Sequence, residues 1–242
     1  MRLQLFKLIV KSLLFYRKQV LNQVAVVIIL SLVITGSLLT GFSVRSSLKE
    51  AATGKLGNTG YLISSGLRYF DETVADKLTG ATGVKCISIL ETEAVIQKFD
   101  TGNYKENVKV FGISNNFFPF HETALKYVGP GEAAVNETAA SGMKLKPGDE
   151  IILTQKQISD LPANSPFAPS LGEIASYVFR VKYILKDSGK GNFSLTISQA
   201  DRSTVFVNLT DISKTGRANR ILVDYRNSPD EAEIYQKLKC WR

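Results

Sequence analysis

Histidine and cysteine are nearly missing from this chain, with one His and two Cys in 242 residues. A single imidazole cannot build a His-rich zinc site, and neither C-x-x-C nor H-E-x-x-H spacing occurs. Two cysteines in unrelated surroundings make no disulfide framework. Cys86 lies in an apolar, strand-like run and reads as a buried free thiol. Cys240 stands near the C-terminus, and a bond between the two stays open in an oxidising compartment. Phosphate loops are lacking as well. Lysine follows glycine at Gly54-Lys55 and Gly189-Lys190, but Leu56 and Gly191 come next where a phosphate loop needs Ser or Thr. No G-x-S-x-G elbow is present. His121, in "FFPFHET", is the sole candidate general base, and beside aromatics it reads as a surface or loop histidine. No catalytic, cofactor or metal constellation can be assembled, which argues against an anchored hydrolase and against an ATPase. The sequons at Asn136, Asn192 and Asn208 are expected by chance in a polar chain and carry no weight.

Acidic residues are absent from the first 49 positions, which hold seven Lys and Arg. The remaining 23 bases face 22 acids, so nearly all of the net charge of +8 is N-terminal. The larger part of the chain is close to neutral and has no basic stripe interleaved with aromatics. A nucleic-acid partner is therefore not expected.

What is present is a long apolar run. From Gln19 to Val44 there are 26 residues without a charge, flanked by Lys18 and Arg45. Residues 20–42 contain fourteen Leu, Ile, Val and Phe, each favouring insertion by roughly 0.3–0.6 kcal/mol near the bilayer centre. A crossing needs about 20 apolar residues. The run outlasts the ~7–15 residues of a signal-peptide core, and "LLTGFSVRSSL" offers no convincing cleavage site. A core helix would seldom be apolar on every face. The expectation is one transmembrane helix over 19–44, a cytosolic basic amphipathic segment over 1–18, and a helical stalk over 45–57 ended by Gly57 and Gly60. Arg2, Lys7, Lys11, Arg17 and Lys18 orient the helix with its N-terminus in the cytosol, and 1–18 would lie on the cytosolic leaflet. Ser31 and Thr35, Gly36 and Thr40, and Ser37 and Gly41 are small pairs at helical spacing, candidates for packing against another helix.

The remaining ~190 residues suffice for one large or two small domains with a real core. Strands are expected over 61–64, 84–90 continuing extended over 92–98, 108–113, 151–153, 177–185, 205–209 and 220–225. Helices are expected over 71–78 and 230–239, with a turn over 80–83. "EAAVNETAASGM" reads as a strand and then a short helix capped by Asn136 and ended at Gly142. Pro147-Gly148 suits a type II turn. Residues 154–175 read as a loop or flap. Strand–helix–strand in this order suggests an α+β fold or a split βαβ unit.

Several stretches resemble the N-terminal half of ABC-transporter permeases of the MacB/FtsX-like superfamily. These are "SLLFYRKQ" before the span, "VKVFGISNNFFPF" (108–120), "GEAAVNETAASGMKLKPGDEIIL" (131–153), and "GNFSLTISQADRSTVFVNLTDI" followed by "RANRILV". Their order and spacing carry the resemblance over nearly the whole chain. It implies a membrane helix followed by a MacB-like periplasmic core domain: a porter-like split βαβ part over 58–112 and 217–242, and a mostly β insertion over 113–216. It further implies a bacterial inner-membrane location with the main domain extracytoplasmic. The implied partners are the membrane, a cytosolic ABC ATPase, a second permease copy as a dimer, and a periplasmic adaptor protein. The implied role is to couple ATP hydrolysis to movement of the external domain, in efflux or in lipoprotein or peptide export. Such permeases carry three further helices after this domain, so the expectation is a fragment, a truncated product or a split subunit. The competing reading is a stand-alone, membrane-anchored binding or sensor domain.

Overall fold

A helix with no proline and a single acid, Glu50, over forty residues has nothing to stop it. In the computed structural model α1 spans Arg17–Leu56, about 60 Å at 1.5 Å per residue. Its apolar side chains are open on every side: Leu21, Ile29 and Leu38 are 70%, 63% and 70% exposed. Such a cylinder is long and apolar enough to cross a membrane. Gly57, at φ 63°, takes the left-handed conformation that ends the helix. Gly60 lies in the following strand and ends nothing. The structure describes residues 11–12, 15–66, 68–123, 127–156, 174–187, 190–196, 202–213 and 215–224. The chain divides into two compact units, Met1–Ala52 and Thr53–Arg242.

The second unit is mixed α/β. Its elements in chain order are β1 (Thr59–Ser64), β2 (Phe70–Asp71), α2 (Thr73–Thr82), β3 (Cys86–Lys98), β4 (Tyr104–Ile113) and α3 (Phe117–Phe120). There follow β5 (Glu132–Asn136), α4 (Glu137–Met143), β6 (Glu150–Lys156), β7 (Ile174–Leu185), a 3₁₀ turn (Lys190–Asn192), β8 (Thr204–Asn208), α5 (Leu209–Ile212), β9 (Arg217–Ala218) and β10 (Arg220–Asp224). Eight strands pair in the order β1-β10-β3-β4-β8-β5-β7-β6, and β2 pairs with β9 separately. β10 is antiparallel to both β1 and β3, so those two run parallel with β10 between them and α2 connecting them.

β6 also pairs with β3, matching Ala94 with Gln155 and Lys98 with Ile151. That contact closes β3, β4, β8, β5, β7 and β6 into a ring. β3 is thirteen residues long, pairing with β4 on one side and serving two partners in turn on the other. Its first part, at Cys86 to Ile89, pairs with β10, and its second part pairs with β6.

Alternation sorts the side chains into three cores. Ile96, Val110, Ile151, Leu153, Phe179, Val181, Val205 and Val207 fill the ring. β5 and β8 are antiparallel, and each runs straight into a helix, so α4 and α5 cover opposite ends. They add Ala139, Met143, Leu209 and Ile212 to the same core. The opposite face of the wall, with Ile89, Phe111, Ala134 and Phe206, packs against Phe117, Phe118, Phe120 and Phe193. α2 lays Ala75 and Leu78 on Cys86, Ile221 and Val223. Each such large apolar side chain contributes about 1.5–3 kcal/mol when fully buried.

Several local expectations shift. α2 runs on through Gly80 to Thr82, and Gly83 (φ 71°) makes the turn instead of residues 80–83 together. Asn136 caps α4 as expected, accepting from the Ala139 N–H at 3.0 Å. Lys144 ends that helix in the left-handed region, whereas Gly142 lies inside it. Gly148 sits at φ 100°, and the Asp149 N–H closes the turn on the Lys146 carbonyl at 3.1 Å. Leu209 begins α5 and does not extend β8. The expected helix over 230–239 and most of the expected 154–175 loop fall outside the described residues.

Candidate functional site

Two residues separate the end of α1 from the first strand, and both make structural commitments. After Gly57, the Asn58 backbone N–H donates to His121 Nδ1 at 3.2 Å, and Asn58 Nδ2 donates to the Phe120 carbonyl at 3.0 Å. One turn earlier, the Lys55 carbonyl accepts from the Ser194 N–H at 3.4 Å. His121 is 3% exposed and so is no surface histidine. Its ring packs on Phe117, Phe120 and Phe193 at centroid distances of 4.7, 4.9 and 5.1 Å. Nδ1 is thus the ring nitrogen that accepts from the chain leaving α1. Sequence reasoning missed this burial because Asn58 and Phe193 come from distant parts of the chain. The local signal was the aromatic cluster itself: α3 is Phe-Phe-Pro-Phe, and its three phenyl rings are all buried while Pro119 alone is exposed.

Asn58, His121 and α3 thus fasten the last turn of α1, from Thr53 onward, to the aromatic core on the barrel wall. A second fastening lies where β3 passes from one partner to the other. Glu91 is bracketed there by Asn219, whose Oδ1 accepts from the Glu91 N–H and whose Nδ2 donates to the Glu91 carbonyl, each at 2.8 Å. The Glu91 carboxylate accepts from Arg220 Nε at 3.0 Å and lies 3.3 Å from Lys109 Nζ. Lys109 also reaches the more exposed Glu93 at 2.9 Å.

A polar cleft of about 310 Å³ opens beside the start of α2, lined by Glu72, Asp76, Ser88, Ser114, Asn115 and Asn116 among others. Burial, then the negative charges of Asp71 and Asp76, raise the Glu72 carboxyl above its ordinary value. Hydrogen bonds from Thr73 hold Asp71 below the ordinary carboxylate range. Cys86, on the cleft wall, is buried and free, and burial pushes its thiol up to about 11. A thiol so protonated is a poor nucleophile, and among the described residues no Lys, Arg or His lines the cleft. Its chemistry is hydrogen bonding. Among the described residues no cluster of His, Cys, Asp or Glu is built to hold a metal ion.

Arg2 and Lys7 lie outside the described residues. Lys11, Arg17 and Lys18 are exposed in helical segments at the N-terminal end. Ser31, Thr35, Gly36, Ser37, Thr40 and Gly41 all lie on α1 and are exposed. At about 100° per residue the three pairs occupy three different faces of the helix and form no single stripe. The Thr40 hydroxyl donates to the Gly36 carbonyl at 2.9 Å, so part of its polarity is spent within the helix. Cys240 is outside the described residues.

No protein-family model matches the chain, and no curated protein matches it. Among solved structures, the chain is similar to the periplasmic region of MacB from Actinobacillus actinomycetemcomitans, at 12% identity and a TM-score of 0.48. The match covers 77% of this chain and 86% of that one.

Proposed function

We propose that the chain is a permease component of an ABC transporter of the MacB/FtsX-like kind. In this reading it couples a cytosolic ATPase to movement of an extracytoplasmic domain, and carries out no chemistry itself. The observation that carries the reading is the ordered set of sequence motifs. The stretch 108–120 supplies most of β4 and all of α3, and 131–153 supplies β5, α4 and most of β6. The strand order supports it further. β1, β10, β3 and β4, from 58–112 and 217–242, lie side by side, followed by four strands from 113–216. β1 and β3 parallel about β10, joined by α2, fit a porter-like split βαβ part carrying a β-rich insertion. The basic N-terminal segment supports a cytosolic N-terminus in a bacterial inner membrane. A second permease copy and a periplasmic adaptor complete the proposed assembly.

The test is affinity purification of the tagged chain from cross-linked native membranes. An ATP-binding subunit and vanadate-sensitive ATP hydrolysis are expected in the eluate. Recovery of the chain with no ATP-binding protein would overturn the reading. The polar cleft at Glu72 favours the second reading, a stand-alone anchored binding domain. That reading gains if a small polar ligand binds the purified chain saturably and Asn116→Leu abolishes the binding.

A further inference from the structure

The cleft beside α2 is lined by polar groups that the fold does not use. Glu72 and Asn116 occupy the N-cap positions of α2 and α3, where a side chain usually closes on the helix. Neither side chain does so here. The Glu72 backbone is fixed instead, its carbonyl accepting from the buried Ser88 hydroxyl at 2.9 Å. Among the described residues, the Glu72 and Asp76 carboxylates and the Asn116 carboxamide have no hydrogen-bond or ion-pair partner within the chain. The charges that act on the half-buried Glu72 are Asp71 and Asp76, both negative. A carboxyl perturbed by burial and by like charge, inside a cavity, marks a candidate binding group. The apolar part of the lining is buried Ala75, Cys86 and Ile87. At about 310 Å³ the space is at the small end of ligand cavities.

We propose that this cleft binds a small primary amine, its ammonium group among the oxygens of Glu72, Asp76, Ser114 and Asn116 and its short methylene chain against Ala75 and Ile87. The proposal rests on the binding reading of the cleft and names the ligand class. The sign of the charge follows from the lining, where two carboxylates meet no Lys, Arg or His among the described residues. An ammonium has three N–H donors and no acceptor, and the carboxylate, carboxamide and hydroxyl oxygens of the cleft all accept. Hydrogen bonds between ammonium and carboxylate are charge-assisted, roughly twice as strong as neutral ones. A divalent metal ion fits less well, because the described residues hold no cluster of three His, Cys, Asp or Glu that would ligate it. A neutral polyol would take up the hydrogen bonds but leave the Glu72 charge uncompensated.

Isothermal titration of the full chain in non-ionic detergent micelles tests it, with 1,4-diaminobutane as the probe and butane-1,4-diol as its uncharged twin. Saturable one-to-one binding is expected for the diamine, and none for the diol at the same concentration. Glu72→Gln keeps the shape and removes the charge, and is expected to weaken diamine binding at least tenfold. A thermal unfolding curve checks that this variant is folded. Glu93→Gln removes an exposed acid that does not line the cleft and is expected to leave binding unchanged. If the diol binds as well as the diamine, the amine assignment falls while the binding reading stands. If neither binds at millimolar concentration, both fall. The proposal is also overturned if folded Glu72→Gln binds the diamine like the wild type. It is equally overturned if Glu93→Gln weakens binding as much, since diffuse surface charge would then hold the amine.

Discussion

Asn136 does four things with one amide. Its Oδ1 accepts from the Ala139 and Thr204 N–H groups, each at 3.0 Å, and its Nδ2 donates to Asp187 and to the Arg202 carbonyl. It is wholly buried, so nothing else can take those roles. Asn136→Ala removes a helix cap worth about 1 kcal/mol and strands buried polar groups at roughly 1–3 kcal/mol. A loss of about 3 kcal/mol is expected in urea unfolding of the chain. Gly112 explains one residue of the "FGISNNFF" stretch. A Cβ there would come within 2.8 Å of Ile212 Cδ1 and 3.2 Å of Leu90 Cβ, because α5 lies directly on β4. Glu72 sets a pH dependence. Its carboxyl is raised in the fold by burial and by its acidic neighbours. The folded state therefore holds that proton more tightly than the unfolded chain. Its contribution is fully present below the unfolded value and is lost as pH rises through the folded value. Glu72→Gln is expected to raise the urea midpoint at pH 7 and to leave it unchanged near pH 3, where both side chains are neutral.

Within the elements, β3 shows both what could be read from the chain and what could not. Its apolar stretches are plain in the sequence, as is the alternation Tyr177, Phe179, Val181 in β7, because a half-buried strand writes its period of two locally. That one continuous strand serves a sheet and a barrel is not written locally. It depends on Ala94 finding Gln155, some sixty positions away, and nothing in either segment names the other. Glu91 stands at the changeover, 8% exposed at its side chain, between Arg220 and Lys109. Glu91→Leu leaves two cations without their buried partner and is expected to cost about 3 kcal/mol. Glu93 meets the same lysine but is 59% exposed, so Glu93→Ala should cost no more than ~1 kcal/mol. Similar losses from both would mean that Glu91 acts as an ordinary surface ion pair.

At the scale of the whole chain, the function proposed depends on motion reaching the domain through the residues that follow the apolar helix. Length, hydropathy and charge made that helix legible. The fastening at its end was not, because it is assembled from Lys55, Asn58, His121 and Ser194, which only the fold brings together. His121→Phe isolates its contribution. The phenyl ring keeps the packing against Phe117, Phe120 and Phe193 but offers no Nδ1 to the Asn58 N–H. The loss of one buried acceptor corresponds to about 1–3 kcal/mol, and it falls locally if this is a joint. Hydrogen exchange over 55–58 should then accelerate, while Val135 and Val205 in the barrel core keep wild-type protection. In the native assembly the same variant should retain ATP hydrolysis but lose the ATP-dependent change in protection of the external domain. If the barrel amides loosen as much as residues 55–58, His121 is a core-packing residue and transmission must run through another contact.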